Sequence, residues 1–165
     1  MFSKKLFLLL KMNKKIKNAE KRVYNNIQFK SDLEVSCFKK LEQAGLNPSY
    51  ESETVAVWKG FKPSLSKTYA PSKKRGVYNK DLSLQEGKIR DITYTPDFVV
   101  VKGNHKFYFD AKGFPNDVYA YKKKLFIAWM ESQKDYECMF FEPHSVRQMT
   151  QAIDIINNLD NAEKL

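Results

Sequence analysis

Residues 94–113, YTPDFVVVKGNHKFYFDAKG, constrain this chain more than any other stretch. Two apolar runs, residues 95–101 and 106–111, are joined by Lys102-Gly103-Asn104-His105, whose Gly-Asn pair signals a β-hairpin. If the strands are antiparallel neighbours, Asp97 near the start of one lies opposite Asp110 near the end of the other. Like charges face to face are unfavourable unless a cation lies between them.

A hard divalent cation such as Mg²⁺ takes oxygen ligands, and Asp97, Asp110, the Ala111 backbone carbonyl and waters would supply them. Period-2 alternation points Asp110 and Lys112 to one face, which sets an ammonium beside the metal. A metal, a lysine and a water suit phosphodiester hydrolysis: the metal activates water and offsets phosphate charge, and Lys112 orients the water or steadies developing negative charge. The plainer reading is an ordinary hairpin with solvated charges at its ends.

A length of 165 residues fits one domain with a proper core. The net charge of +10 favours a polyanionic partner such as nucleic acid. Charge is concentrated in two places: residues 1–30 hold nine Lys/Arg against Glu20, and residues 59–90 hold nine against Asp81 and Glu86. Cys37 and Cys138 lie far apart with no C-x-x-C spacing, so they read as free core thiols in a reducing, cytoplasmic compartment. Only His105 and His144 could join them, which argues against zinc. The opening MFSKKLFLLLKMNKK imitates a signal peptide, but the apolar run at residues 6–10 is too short for one or for a membrane span.

The chain divides into a basic arm over residues 1–25 and one domain over 26–160. Ser31 opens a helix to about Ala44, with Leu33, Cys37, Phe38 and Leu41 buried and Gly45 ending it. Ser31 and Glu34 form a capping box, in which the Glu carboxylate reaches back to the Ser31 amide. Residues 50–58 alternate as one strand. Residues 59–88 read as a long basic excursion, where Lys73, Lys74 and Arg75 with Tyr69 and Tyr78 would track a backbone and stack on bases; a mobile insertion is the alternative. Residues 89–94 extend into the hairpin. Asn116 or Asp117 caps a second helix to about Ser132, with Val118, Tyr121, Leu125, Ala128 and Trp129 inward and Lys122, Lys123 and Lys124 in its first half. Those lysines oppose the helix dipole, which is easier to understand if they face phosphate or the acidic site. A strand over residues 136–141 and a helix after Pro143-His144-Ser145 complete the chain.

The order PD, apolar strand, turn, apolar strand, D-x-K resembles the PD-(D/E)XK nuclease superfamily. More closely, NNIQFKSDLE (25–34), KIRDITYTPDF (88–98) and FDAKGFPNDVYAYKKKLF (109–126) resemble a family of small bacteriophage proteins of that superfamily, typically described as endonuclease or Holliday-junction-resolvase-like. The resemblance covers residues 25–141. It implies an α/β (α+β) fold with a restriction-endonuclease-like core, a central mixed sheet flanked by helices in the order α-β-β-β-α-β-α. It implies Glu34, Asp97, Asp110 and Lys112 as catalytic residues, with Glu34 joining Asp97, Asp110 and the Ala111 carbonyl at the metal and Lys122 as an auxiliary. Two features depart from the pattern: the D-x-K acid is Asp where Glu is common, and the 59–88 excursion is longer than usual.

The expected activity is therefore a Mg²⁺-dependent DNA endonuclease, with Mn²⁺ as a substitute, acting on branched DNA in phage DNA metabolism in the bacterial cytoplasm. Lys73, Lys74, Arg75, Lys122 and Lys123 are the expected DNA contacts. Symmetric junction cleavage would require a homodimer. The alternative is a non-catalytic basic nucleic-acid-binding protein with a vestigial site. A membrane-surface role is weakest, because the basic segments lack a strongly amphipathic helix.

Overall fold

The computed structural model describes residues 22–113 and 117–162. Of the arm expected over residues 1–25, residues 1–21 fall outside them, and Arg22–Tyr24 form a strand; residues 114–116, where a turn and helix cap were expected, also fall outside. Within that range the protein is a mixed α/β structure of three helices and ten strands, with one mixed sheet at its centre.

The chain opens on a small hairpin, β1 (Arg22–Tyr24) and β2 (Ile27–Phe29). Its turn residues Asn25 and Asn26 both take positive φ, 49° and 62°, a conformation asparagine tolerates better than most residues. Helix α1 (Asp32–Gln43) follows, with Ser31 as N-cap and Gly45 at φ +72° just beyond its end, as the cap signals predict.

Strands β3 (Ser49–Tyr50) and β4 (Val55–Trp58) replace the single strand expected over residues 50–58. Between them Glu51 adopts φ +44° and donates its amide to the Asp97 carbonyl at 2.9 Å. That bend sends β3 to the central sheet and β4 to a separate pairing with β7 (Ile92–Tyr94).

The excursion is likewise ordered differently from expectation. It folds as a two-stranded ribbon, β5 (Thr68–Lys74) and β6 (Val77–Gln85). Arg75 and Gly76, at φ 51° and 86°, make its turn, and a register shift past Pro71 adds twist.

Strands β8 (Phe98–Lys102) and β9 (His105–Phe109) form the expected hairpin, with Gly103 at φ +57° in its two-residue turn. After helix α2 (Asp117–Glu131), strand β10 (Glu137–Phe141) pairs parallel to β9, which gives the order β10-β9-β8-β3. Helix α3 (Val146–Ala162) ends the described chain.

Alternation along β8 and β9 divides the core in two. Phe98, Val100, Phe107 and Phe109 face one side, where Cys37, Phe38 and Leu41 of α1 and Met149, Ile153 and Ile156 of α3 cover them. Val99 and Tyr108 face the other side with Tyr94 and Phe126 of α2. The inward stripe of α2 matches expectation only in part: Trp129 packs inward as expected, but Val118 and Tyr121 are 59% and 71% exposed, while Phe126 is buried with Tyr119 and Met130 around it. The lysine triplet obscures the apolar period and shifts its apparent phase.

Cys37 is buried and Cys138, on β10 at the sheet edge, is half-buried; both are free thiols. No helix among the described residues is long and apolar enough to cross a membrane.

Candidate active site

The β8–β9 register pairs Phe98 with Phe109. Asp97 and Asp110 are the next residues outward, so the hairpin sets the two carboxylates opposite each other at the end of the central sheet. Asp110 is reached there by the Tyr94 hydroxyl.

The backbone under the pair is tied down. The Asp110 amide donates to Phe141 O and the Lys112 amide to Pro143 O, each at 3.0 Å, extending the β9–β10 pairing past the end of both strands. The Ala111 amide donates to Asp97 Oδ2 at 2.8 Å. Ala111 is therefore within the site, through its N–H to a carboxylate.

Asp97 and Asp110 are only 6% and 2% exposed. Lys112 supplies the neutralising charge: its Nζ lies 3.9 Å from Asp97 Oδ2 and forms an ion pair with Asp110 Oδ1. Asp110 Oδ1 is buried, and its contact is the Lys112 ammonium. The other oxygen, Oδ2, accepts from the Tyr94 hydroxyl.

These contacts set the protonation states. Burial, then the Asp110 charge, pushes the Asp97 carboxyl up to about 8; Lys112 opposes the rise and Glu34 adds to it. For Lys112, burial pulls the ammonium down, but Asp97 and Asp110 outweigh it and the net shift is upward. Lys112 is therefore a cation at neutral pH and no general base.

Glu34 is 6% exposed and held by three donors. The Lys30 amide and Tyr50 hydroxyl reach Oε2 at 2.9 and 2.7 Å, and Ser31 Oγ reaches Oε1 at 3.0 Å. The capping box is present, since the Glu34 amide donates to Ser31 Oγ at 3.2 Å. Its carboxylate, however, goes to the Lys30 amide instead of the expected Ser31 amide. Burial first, then Glu34, raises the Tyr50 hydroxyl far above its usual range, so it stays a donor.

On the α2 side, Lys112 Nζ sits 5.0 Å from the Tyr119 ring centroid. The Tyr119 hydroxyl donates to Glu142 Oε2 at 2.8 Å. Glu142 also takes Lys123 Nζ at 2.5 Å and His144 Nε2 at 3.0 Å. Lys122 donates to Thr93 O at 3.1 Å. Lys122 and Lys123 thus bind the protein itself, whereas Lys73, Lys74 and Arg75 stand exposed at the ribbon tip.

Tyr94, Tyr50, Tyr119 and Glu142 support the site but carry no motif signal. A tyrosine in a strand reads as core, and only packing shows where its hydroxyl points. Tyr94 stacks on Phe126, centroids 4.4 Å apart at 18°, which aims the hydroxyl at Asp110.

The donor set is all oxygen, as a hard divalent ion requires, with two buried carboxylates facing one another across the hairpin. Among the described residues no group of three or more His, Cys, Asp or Glu side chains is arranged to hold a metal. Two carboxylates alone still suit Mg²⁺, which commonly takes one or two and completes its shell with water and substrate phosphate. Glu34 forms no such group with them and is held by its three donors. Searches against protein families, curated proteins and solved structures found no match for this chain.

Proposed function

We propose that the chain is a metal-dependent endodeoxyribonuclease with a restriction-endonuclease-like core, whose α-β-β-β-α-β-α order would be supplied by α1, β3, the β8–β9 hairpin, α2, β10 and α3. The observation carrying this reading is the buried opposition of Asp97 and Asp110 with the Lys112 ammonium beside both. Such a concentration of buried charge costs stability, and a folded chain retains it where function needs it.

Asp97 and Asp110 are the residues that would hold Mg²⁺, or Mn²⁺ in its place. When bound, the ion supplies Lewis-acid charge that makes water a better nucleophile and offsets charge on the phosphate. Lys112, protonated, donates to a phosphate oxygen or to the attacking water and stabilises developing negative charge. Tyr94 orients Asp110 through its hydroxyl, and the Ala111 amide orients Asp97. Glu34 acts from its cap position: it fixes the start of α1 and Tyr50 beside the site. The favoured substrate is branched DNA, cut by a homodimer in phage DNA metabolism.

A second reading is a non-catalytic nucleic-acid-binding protein. It is favoured by the Lys112 ammonium already sitting beside both carboxylates and by the absence, among the described residues, of a three-ligand group. The two separate on one experiment, in which purified protein meets a four-way junction, a fork, a linear duplex and a single strand, each with Mg²⁺ or with EDTA. Cleavage in Mg²⁺ that Asp110→Asn abolishes while binding persists supports the nuclease. Binding to these substrates without cleavage in any of them supports the second reading.

A further inference from the structure

The β5–β6 ribbon pairs with no other strand among the described residues, and nearly all of its residues are exposed on both faces. An isolated two-stranded ribbon is marginal in water, so one with strands of seven and nine residues and an apolar face has a surface suited to a partner.

The two faces differ. One carries Ala70, Ser83 and Gln85, which bind the strands together: Ser83 Oγ and Gln85 Nε2 donate to the Ala70 carbonyl at 3.3 and 3.1 Å. Cross-strand pairs Tyr69–Leu84 and Pro71–Leu82 share the other face, and beyond the register shift after Pro71 the pair Lys73–Tyr78 continues the ribbon toward its tip. Tyr69, Tyr78, Leu82 and Leu84 are 57%, 62%, 67% and 40% exposed there. Lys73 Nζ lies 5.0 Å from the Tyr78 ring centroid, so cation and aromatic are interleaved. At the ribbon base, a cleft of about 310 Å³ beside Leu84 is rimmed by Lys62 and Lys67.

We propose that this face binds unpaired nucleotides, with bases stacked on Tyr69 and Tyr78 and phosphates met by Lys73, Lys74 and Arg75 at the tip. Charge selects the occupant. Residues 59–90 carry nine Lys/Arg against two acids, so a second copy of the ribbon is repelled and a polyanion is attracted. The alternation of aromatic and lysine is what single-stranded nucleic acid uses, because every base presents a π-face and every linkage a charge. The inference deepens the nuclease reading by giving branched DNA a reason to be preferred: a branch point supplies unpaired bases that an intact duplex does not.

The test is fluorescence anisotropy with a labelled oligothymidylate and a labelled blunt duplex, in EDTA so that cleavage plays no part. The Tyr69→Ala/Tyr78→Ala variant should bind oligothymidylate about tenfold more weakly or worse, with duplex binding little changed. Tyr69→Phe/Tyr78→Phe keeps the rings and should bind as the wild type does, which separates lost stacking from a collapsed ribbon. Binding is read without Mg²⁺ and without cleavage, so failure of the nuclease reading leaves this result intact. Unchanged oligothymidylate affinity in the alanine variant overturns the proposal. So does a protein dimer in sedimentation velocity that the alanine variant dissociates, since the face would then cover a second copy.

Discussion

Asp97 stands across the hairpin from Asp110, one residue beyond the last pair of the β8–β9 ladder, and the two carboxylates share the Lys112 ammonium as counter-charge. One cation between two buried acids leaves the pair over-charged. Burial and the Asp110 charge hold the Asp97 carboxyl at about 8, against 3.8 for the ordinary group.

The native state therefore keeps a proton that the unfolded chain releases as pH rises from about 4 to 8. This contribution to stability is fully present at the acid end of that window and lost toward pH 8. Asp97→Asn cannot ionise, so it should be more stable than the wild type at pH 8, on the order of a few kcal/mol, with the gap closing toward pH 4. Thermal unfolding of both proteins across this range checks it; parallel profiles would refute the shift.

Lys112→Met removes the counter-charge and leaves two buried acids uncompensated. The expected loss is about 3–5 kcal/mol near pH 8. Mg²⁺ should raise the melting temperature of this variant more than that of the wild type, because the ion no longer competes with the ammonium. Equal shifts for the two proteins would count against a metal held by Asp97 and Asp110.

Glu34 and Tyr50 form one unit, joined at 2.7 Å. Glu34→Ala removes the acceptor for the Lys30 amide and the Tyr50 hydroxyl, and should cost about 1–3 kcal/mol. Tyr50→Phe should cost about 1 kcal/mol, and the double variant less than the sum because the partners share one contact. Denaturant unfolding of the four proteins gives the coupling; strict additivity would dissolve the unit.

Cys37 is 0% exposed on α1, and burial first, with Asp97 and Glu34 adding, pushes its thiol up to about 12. Native protein at pH 8 should react with a thiol reagent through Cys138 alone, and through both cysteines once unfolded. Labelling followed by mass spectrometry reads the order, and early modification of Cys37 would show that α1 opens.

Much of the candidate site was legible because its parts are local. A Gly-Asn turn between two apolar runs sets the register, the register sets Asp97 against Asp110, and alternation carries Lys112 to the face of Asp110. The same locality made α1 readable from Ser31 and Gly45. Less was legible where periodicity was weak or interrupted. The lysines at 122–124 hide the phase of α2, and the ribbon carries no strand signal because its strands hold Pro71 and many polar residues and bury neither face.

The strand split at Glu51 left no trace in the alternation, since residues on both sides keep the extended pattern. The break is marked by the positive φ of Glu51 and by the hydrogen bond its amide donates to the Asp97 carbonyl, a contact that spans 46 positions of chain. What the amino-acid order determined by itself was therefore the acid pair with its lysine, held in one hairpin by turn chemistry and a period of two. What only the tertiary structure decided was the surround: Glu34 locked by Tyr50, Tyr94 aimed at Asp110 by Phe126, and Lys123 turned to Glu142. Each depends on which faces of separate elements pack together, and packing between distant segments has no signature within either segment.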